Sequence, residues 1–131
     1  MTSETIYIGT TIAKSKDSVY HYVSNPENFP EWLAFVESIS RKSGRTWTAQ
    51  TSLGEITIDF LSENPLGVVD HTVTLADGSQ VYNPLRVIEN GDGSEVVFTL
   101  FRLPGRTKEE FEQDAGMVRK DLATLKAVLE K

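Results

Sequence analysis

Residues 68–85 read VVDHTVTLADGSQVYNPL. Ala76-Asp77-Gly78 suits a three-residue hairpin loop, with two residues in a type I turn and Gly78 in the left-handed position. That loop sets Val73 opposite Val81, His71 opposite Asn83 and Val69 opposite Leu85. A two-residue Asp-Gly turn would place valines opposite tyrosine and glutamine and mix the two faces. It is rejected because register follows the hydrophobic pattern. The hairpin therefore brings a lone histidine beside an asparagine on an otherwise apolar face.

The same pattern extends both ways along the chain. Stretches 36–44, 45–54, 55–64, 67–78, 79–93 and 94–105 alternate apolar and polar residues and are separated by turn residues, so they are predicted as six successive antiparallel strands. A seventh strand is expected over TIYIGTTIA (5–13). The loop Asn90–Gly93 pairs Leu85 with Phe98 and Asn83 with Leu100. A loop of about six residues around ENPLG (63–67) pairs Phe60 with Val69 and Ile58 with His71. One inward row is then Ile58, His71, Asn83 and Leu100, and the next is Phe60, Val69, Leu85 and Phe98. The opposite face carries Asp59, Asp70, Arg86, threonines and Tyr82. It is expected to be a solvated surface whose loose ion-pair cluster is worth about 1 kcal/mol or less. Val97, Ile88 and Phe101 are apolar residues on that outer side, so a monomer or weak homodimer is expected.

Helices flank the strands. Ser15 caps a short one over SKDSVYHYVSN, and Asn25-Pro26 and Pro30 start further helical turns. After Pro104-Gly105, Thr107 and Glu110 form a capping box for a long helix reaching about residue 129. Phe111, Ala115, Val118, Leu122, Leu125 and Leu129 make its apolar stripe, and its length is about 30–35 Å. A meander with one apolar face needs a cover, and this helix is the element large enough to supply it.

Composition narrows the function. The chain of 131 residues is the size of one ordinary domain, taken as 1–131. Thirteen basic against nineteen acidic side chains give a net charge of −6, which opposes binding to nucleic acid or anionic membrane surfaces. No apolar run is long enough to span a bilayer, so no membrane insertion is expected. The absence of cysteine excludes disulfides, thiolate metal sites and cysteine nucleophiles. With no secretory signal in MTSETIYIG, a cytoplasmic location is expected.

His71 and Asn83 have three readings. They satisfy each other or a buried water, since buried polar groups are paired. They fix the polar end of a ligand in an apolar cavity. Or His71 moves a proton as a catalyst, although no second acid or base sits in the same row. The other motifs carry less. The GDG of NGDGS (90–94) lacks the helix and lysine of a phosphate loop and is a hairpin turn, so no cofactor is expected. His21 is a surface residue, and two histidines without carboxylates at ligand spacing predict no metal site. Of the two tryptophans, Trp32 is the cavity candidate and Trp47 is expected in the core. Met117 is a cavity candidate because methionine adapts to irregular spaces. Gly116 either leaves room for a ligand or lets a strand approach.

The ends of the chain resemble a known superfamily. IYIGTTIAKSKDSVYHYVSNPENFPEWLAFVESI (6–39), with Asn25-Pro26-Glu27 and Pro30-Glu31-Trp32, is similar to the opening of START-like proteins. This is the SRPBCC superfamily, which includes polyketide cyclase/dehydrase and lipid-transport groups. Residues 87–131 resemble its last hairpin and C-terminal helix. The resemblance implies an α+β helix-grip fold, in which a seven-stranded antiparallel sheet curls around the long C-terminal helix and encloses a cavity for small hydrophobic molecules. It carries over no catalytic set, because the superfamily has no universal one. The leading expectation is a binding module for a small hydrophobic ligand, lined by Trp32, Ile58, Phe60, His71, Asn83, Leu85, Phe98, Leu100, Met117 and Val118. The alternatives are a cyclase/aromatase-type enzyme using His71, and an interaction domain whose cavity is filled by side chains.

Overall fold

Local capping chemistry starts the helices where the sequence places them. In a computed structural model describing residues 1–131, the Ser15 side chain accepts from the Ser18 N–H ahead of α1 (Lys16–Val23). Asn25 caps a single 3-10 turn (Pro26–Asn28), which runs into α2 (Phe29–Trp32). Thr107 and Glu110 exchange both bonds of a capping box at the head of α3 (Lys108–Leu129). The strands are β1 (Thr5–Ile12), β2 (Val36–Ser43), β3 (Thr46–Thr51), β4 (Gly54–Phe60), β5 (His71–Thr74), β6 (Gln80–Asn83), β7 (Leu85–Asn90) and β8 (Gly93–Phe101). No helix is long and apolar enough to cross a membrane.

Every strand pair is antiparallel, in a five-stranded ladder β2-β3-β4-β5-β6 and a three-stranded ladder β1-β8-β7. This corrects the expectation of one seven-stranded sheet. The predicted strand 79–93 breaks at Pro84, which has no N–H to give a ladder and so divides it into β6 and β7. The two ladders stay joined across the break. Val68 bridges Arg86, the Val69 N–H donates to Leu85 O at 2.7 Å, and the Val87 N–H donates to Gly67 O at 2.8 Å.

The β5–β6 hairpin follows its turn chemistry. Gly78 takes φ +88°, and His71 faces Asn83 while Val73 faces Val81. Leu85 faces Phe98 across β7–β8, as expected. The β4–β5 register differs: Phe60 faces His71 and Ile58 faces Val73, two residues from the predicted pairing. The reason lies in the loop. Asn64 Oδ1 accepts from the Leu66 and Val68 N–H groups, and residues 67–69 are drawn to β7 instead of β4. A shift of two residues keeps each side chain on its predicted face, so His71 still points inward and is 7% exposed.

The Asp70 cluster is also corrected. It is a buried clamp at the sheet junction, not a loose surface pair. Asp70 is 5% exposed, takes a bidentate grip from Arg86 at 2.9 and 2.8 Å, and accepts from the Leu85 N–H at 3.0 Å and from the Tyr82 hydroxyl. It therefore ties the residue before β5 to both halves of the strand that Pro84 divides. Ile88 and Phe101 stand exposed on the outer sheet surface, as the alternation predicted.

α3 packs along β1 and β8 on one side and against α2 on another. Phe111, Ala115, Leu122 and Leu125 are its buried stripe, and a single apolar core joins most of them to Ile58, Leu85 and Val96 of the strands. α2 closes one side of the gap between helix and sheet, and the cavity lies there.

Candidate functional site: a cavity between helix and sheet

Three walls meet around a space of about 90 Å³. The sheet wall is Ile58 of β4, His71 and Val73 of β5, Asn83 of β6, Leu85 of β7 and Phe98 of β8. The helix wall is Val118, Asp121 and Leu122 of α3. α2 and the residues after it add Phe29, Trp32, Leu33 and Phe35. Phe35 is 36% exposed and marks the solvent edge of this wall. Phe29 ties the walls together: its ring stands edge-on to Trp32 at 5.7 Å, to Phe60 at 5.3 Å and to His71 at 6.0 Å.

The polar groups in this apolar space are few. His71 Nδ1 lies 3.0 Å from Val69 O, a carbonyl that can only accept, so Nδ1 carries the proton. Burial pushes the imidazole below its ordinary pKa, against smaller upward pulls from the Val69 bond and the Asp70 charge, and the ring is neutral. Nε2 is then a lone-pair acceptor, met only by a long 3.5 Å contact with Asn83 Nδ2. On the facing wall Asp121 is 8% exposed and takes one bond, from the Ala34 N–H at 3.3 Å. Burial raises its carboxyl, opposed by that bond and by the Lys120 charge. None of the ion pairs in the molecule includes Asp121. The Trp32 indole N–H is buried without an acceptor.

No family model and no curated protein matches the chain by sequence. Solved structures do match by shape. An uncharacterised protein from Bacillus thuringiensis superposes with a TM-score of 0.80 at 17% identity, over 98% of this chain and 100% of that one. A START superfamily protein from Mycobacterium smegmatis gives 0.74 at 11% identity, over 96% and 97%. The di-domain ARO/CYC protein BexL from the BE-7585A biosynthetic pathway gives 0.73 at 13% identity, over 95% of this chain and 45% of that one. The chain has the START-like helix-grip fold.

Within this helix grip, seven of the ten residues singled out from sequence line the cavity: Trp32, Ile58, His71, Asn83, Leu85, Phe98 and Val118. Three do not. Phe60 stands behind it, because the shifted register sets its ring against His71 at 5.4 Å, with the Arg45 guanidinium 5.9 Å from its centroid. Leu100 pairs with Ile6 of β1, past the point where the β7–β8 ladder ends at Leu85–Phe98. Met117 is 53% exposed. It lies one helical turn before Asp121, whose side of α3 is bonded to the segment after α2 at Ala34. No strand approaches Gly116, since a Cβ there meets nothing within 4 Å, and the residue is exposed and outside the cavity lining. Sequence reasoning missed Phe29, Leu33, Phe35, Val73, Asp121 and Leu122. Val73 and Leu122 were readable, one by alternation from His71 and the other from the α3 stripe. Asp121 gave no signal beyond its place beside that stripe.

A larger depression of about 610 Å³ opens on the surface between the end of α1 and β2–β3. It is lined mostly by polar groups, with both arginines (Arg41, Arg45) and glutamates (Glu27, Glu63), and Trp47 belongs to its wall. Its charges of both signs are open to water, so the smaller enclosed cavity is the better ligand site.

The neutral state of His71 sets a pH response. Its folded pKa lies below its unfolded value of about 6.5, so this contribution to stability is present at neutral pH. It is lost as pH falls below about 6.5 towards the folded value. In urea unfolding at pH 7.5 and 5.0, His71→Asn is expected to show a smaller loss than the wild type. Equal losses in the two proteins would mean that His71 titrates alike folded and unfolded.

Proposed function

We propose that the protein binds a small, largely apolar molecule, or the apolar end of a larger one, between α3 and the sheet. The observation that carries this reading is the cavity itself: an apolar space with His71, Asn83 and Asp121 converging on it from opposite walls. Ligand sites are built this way, with a few placed polar groups fixing orientation. Close-packed interiors otherwise contain few voids larger than a water molecule.

Size limits the ligand. A space of about 90 Å³ equals about three waters at the liquid density of roughly 30 Å³ each. It lies far below the roughly 300–1,000 Å³ of pockets for drug-sized molecules. A branched aliphatic group the size of isobutyl suits it, and any longer tail leaves past Phe35. Binding is preferred to proton transfer because His71 and Asp121 are each tied to backbone, at Val69 O and the Ala34 N–H, and not to each other.

Two experiments test this. Native mass spectrometry of freshly purified protein is expected to show a retained small molecule. In NMR titrations isobutanol is expected to shift the Trp32 indole resonance. Val118→Trp, which fills the space from the half-buried edge of α3, is expected to weaken binding at least tenfold while leaving the fold intact. Isobutanol binding unchanged in Val118→Trp would place the ligand elsewhere and reject the reading.

A further inference from the structure

The polar groups of the cavity are unbalanced. Asp121 offers a carboxylate with one bond and no cation, and His71 Nε2 offers a lone pair with only a long contact. Asn83 Nδ2 is already turned to the imidazole, and no other side-chain donor reaches either acceptor. A carboxylate out of water without a counter-charge is costly, and this one is among the most enclosed polar side chains in the protein. Lys120, its neighbour in the chain, is exposed and makes no ion pair with it. Four of the ten apolar residues lining the cavity are aromatic, Phe29, Trp32, Phe35 and Phe98. Aromatic faces attract cations, more strongly once water is excluded. The one unpaired donor on these walls is the Trp32 indole N–H, so an acceptor on a ligand finds a single N–H, and an anion finds no cation and faces the Asp121 carboxylate. A ligand that brings N–H donors and a positive charge satisfies Asp121 and uses the rings.

We infer that the cavity selects a small alkylammonium ligand, with its apolar group among Phe29, Trp32 and Phe98 and its nitrogen donating to the Asp121 carboxylate. This rests on the cavity being a binding site, and it names the chemical class that the site takes. Asp121 acts as the counter-ion and is consumed in no reaction.

Three probes of one shape test it: isobutylamine, isobutanol and isobutyrate, titrated at pH 7 and followed at the Trp32 indole N–H by NMR. The amine is expected to bind at least tenfold more tightly than the alcohol, and the carboxylate most weakly. Asp121→Asn keeps an acceptor for the Ala34 N–H. It is expected to bring the amine to within about threefold of the alcohol measured on the same variant. An alcohol that binds as well as the amine in the wild type overturns the inference and leaves the cavity as a site for neutral ligands. No shift with any of the three overturns the binding reading as well. The wild-type ranking decides the matter even if Asp121→Asn does not fold.

Discussion

Asp70→Ala is expected to lower the unfolding free energy by about 3 kcal/mol at pH 7, read from urea unfolding. Asp70 accepts two bonds from Arg86, one from the Leu85 N–H and one from the Tyr82 hydroxyl. Bonds to a charged group contribute about 1.5–3 kcal/mol each, and a buried N–H left without a partner costs about 1–3. Arg86 is 49% exposed and recovers hydration when its partner goes, which keeps the loss at the lower end of the range for a broken buried pair. The same cluster predicts an acid limb. Burial alone would raise the Asp70 carboxyl, but Arg86, Tyr82 and the Leu85 N–H outweigh it and hold it at about 2, against an ordinary 3.8. A depressed carboxyl contributes stability at pH values above the unfolded pKa, and that contribution is lost as pH falls from there through 2. The amount is on the order of 2 kcal/mol. A loss below 1 kcal/mol in Asp70→Ala would show that the junction between the ladders is held by packing and by the backbone bonds at Val69 and Val87, without the Asp70 cluster.

The second large effect is at Gly67, where Gly67→Ala is expected to destabilise by at least about 3 kcal/mol. Gly67 has φ +81°, and a Cβ there would stand 2.1 Å from the Val87 carbonyl oxygen. An alanine must move the backbone of β7 or withdraw from it, and withdrawal breaks the 2.8 Å bond from the Val87 N–H to Gly67 O. Gly78→Ala is the control. It has a similar φ of +88° but open space at the Cβ position, so only the strain of the backbone conformation remains, about 1–2 kcal/mol. Thermal unfolding of both variants gives the comparison. Equal losses would mean that the close approach to β7 contributes nothing.

Features encoded by near neighbours were legible in the sequence. The Thr107–Glu110 capping box and the Ala76-Asp77-Gly78 turn each depend on a few adjacent residues, and they placed α3 and the His71–Asn83 pair. The break at Pro84 is legible too, since proline cannot serve inside a continuous ladder, although the alternation across 79–93 reads as one strand. Features set by competition between distant partners were hidden. Residues 67–69 match β4 and β7 equally well as a pattern, and the choice of β7 rests on Asn64 bonding across its own loop and on Gly67 meeting Val87. Asp70 looked like a surface acid because alternation put it on the outer face, whereas the chain covers it where the ladders meet. Asp121 shows the same limit on a helix. It lies one residue from Leu122 on the edge of the apolar stripe, and it is enclosed only because the segment after α2 reaches it at Ala34.

Xenon binding in crystals locates the proposed chamber without assuming any ligand, because dry apolar cavities take up this gas. One strong xenon peak is expected within the space bounded by Ile58, Leu85, Phe98 and Leu122, and it is expected to be lost in Val118→Trp. Xenon absent from that space, or found only in the surface groove beside Trp47, would contradict the proposed chamber.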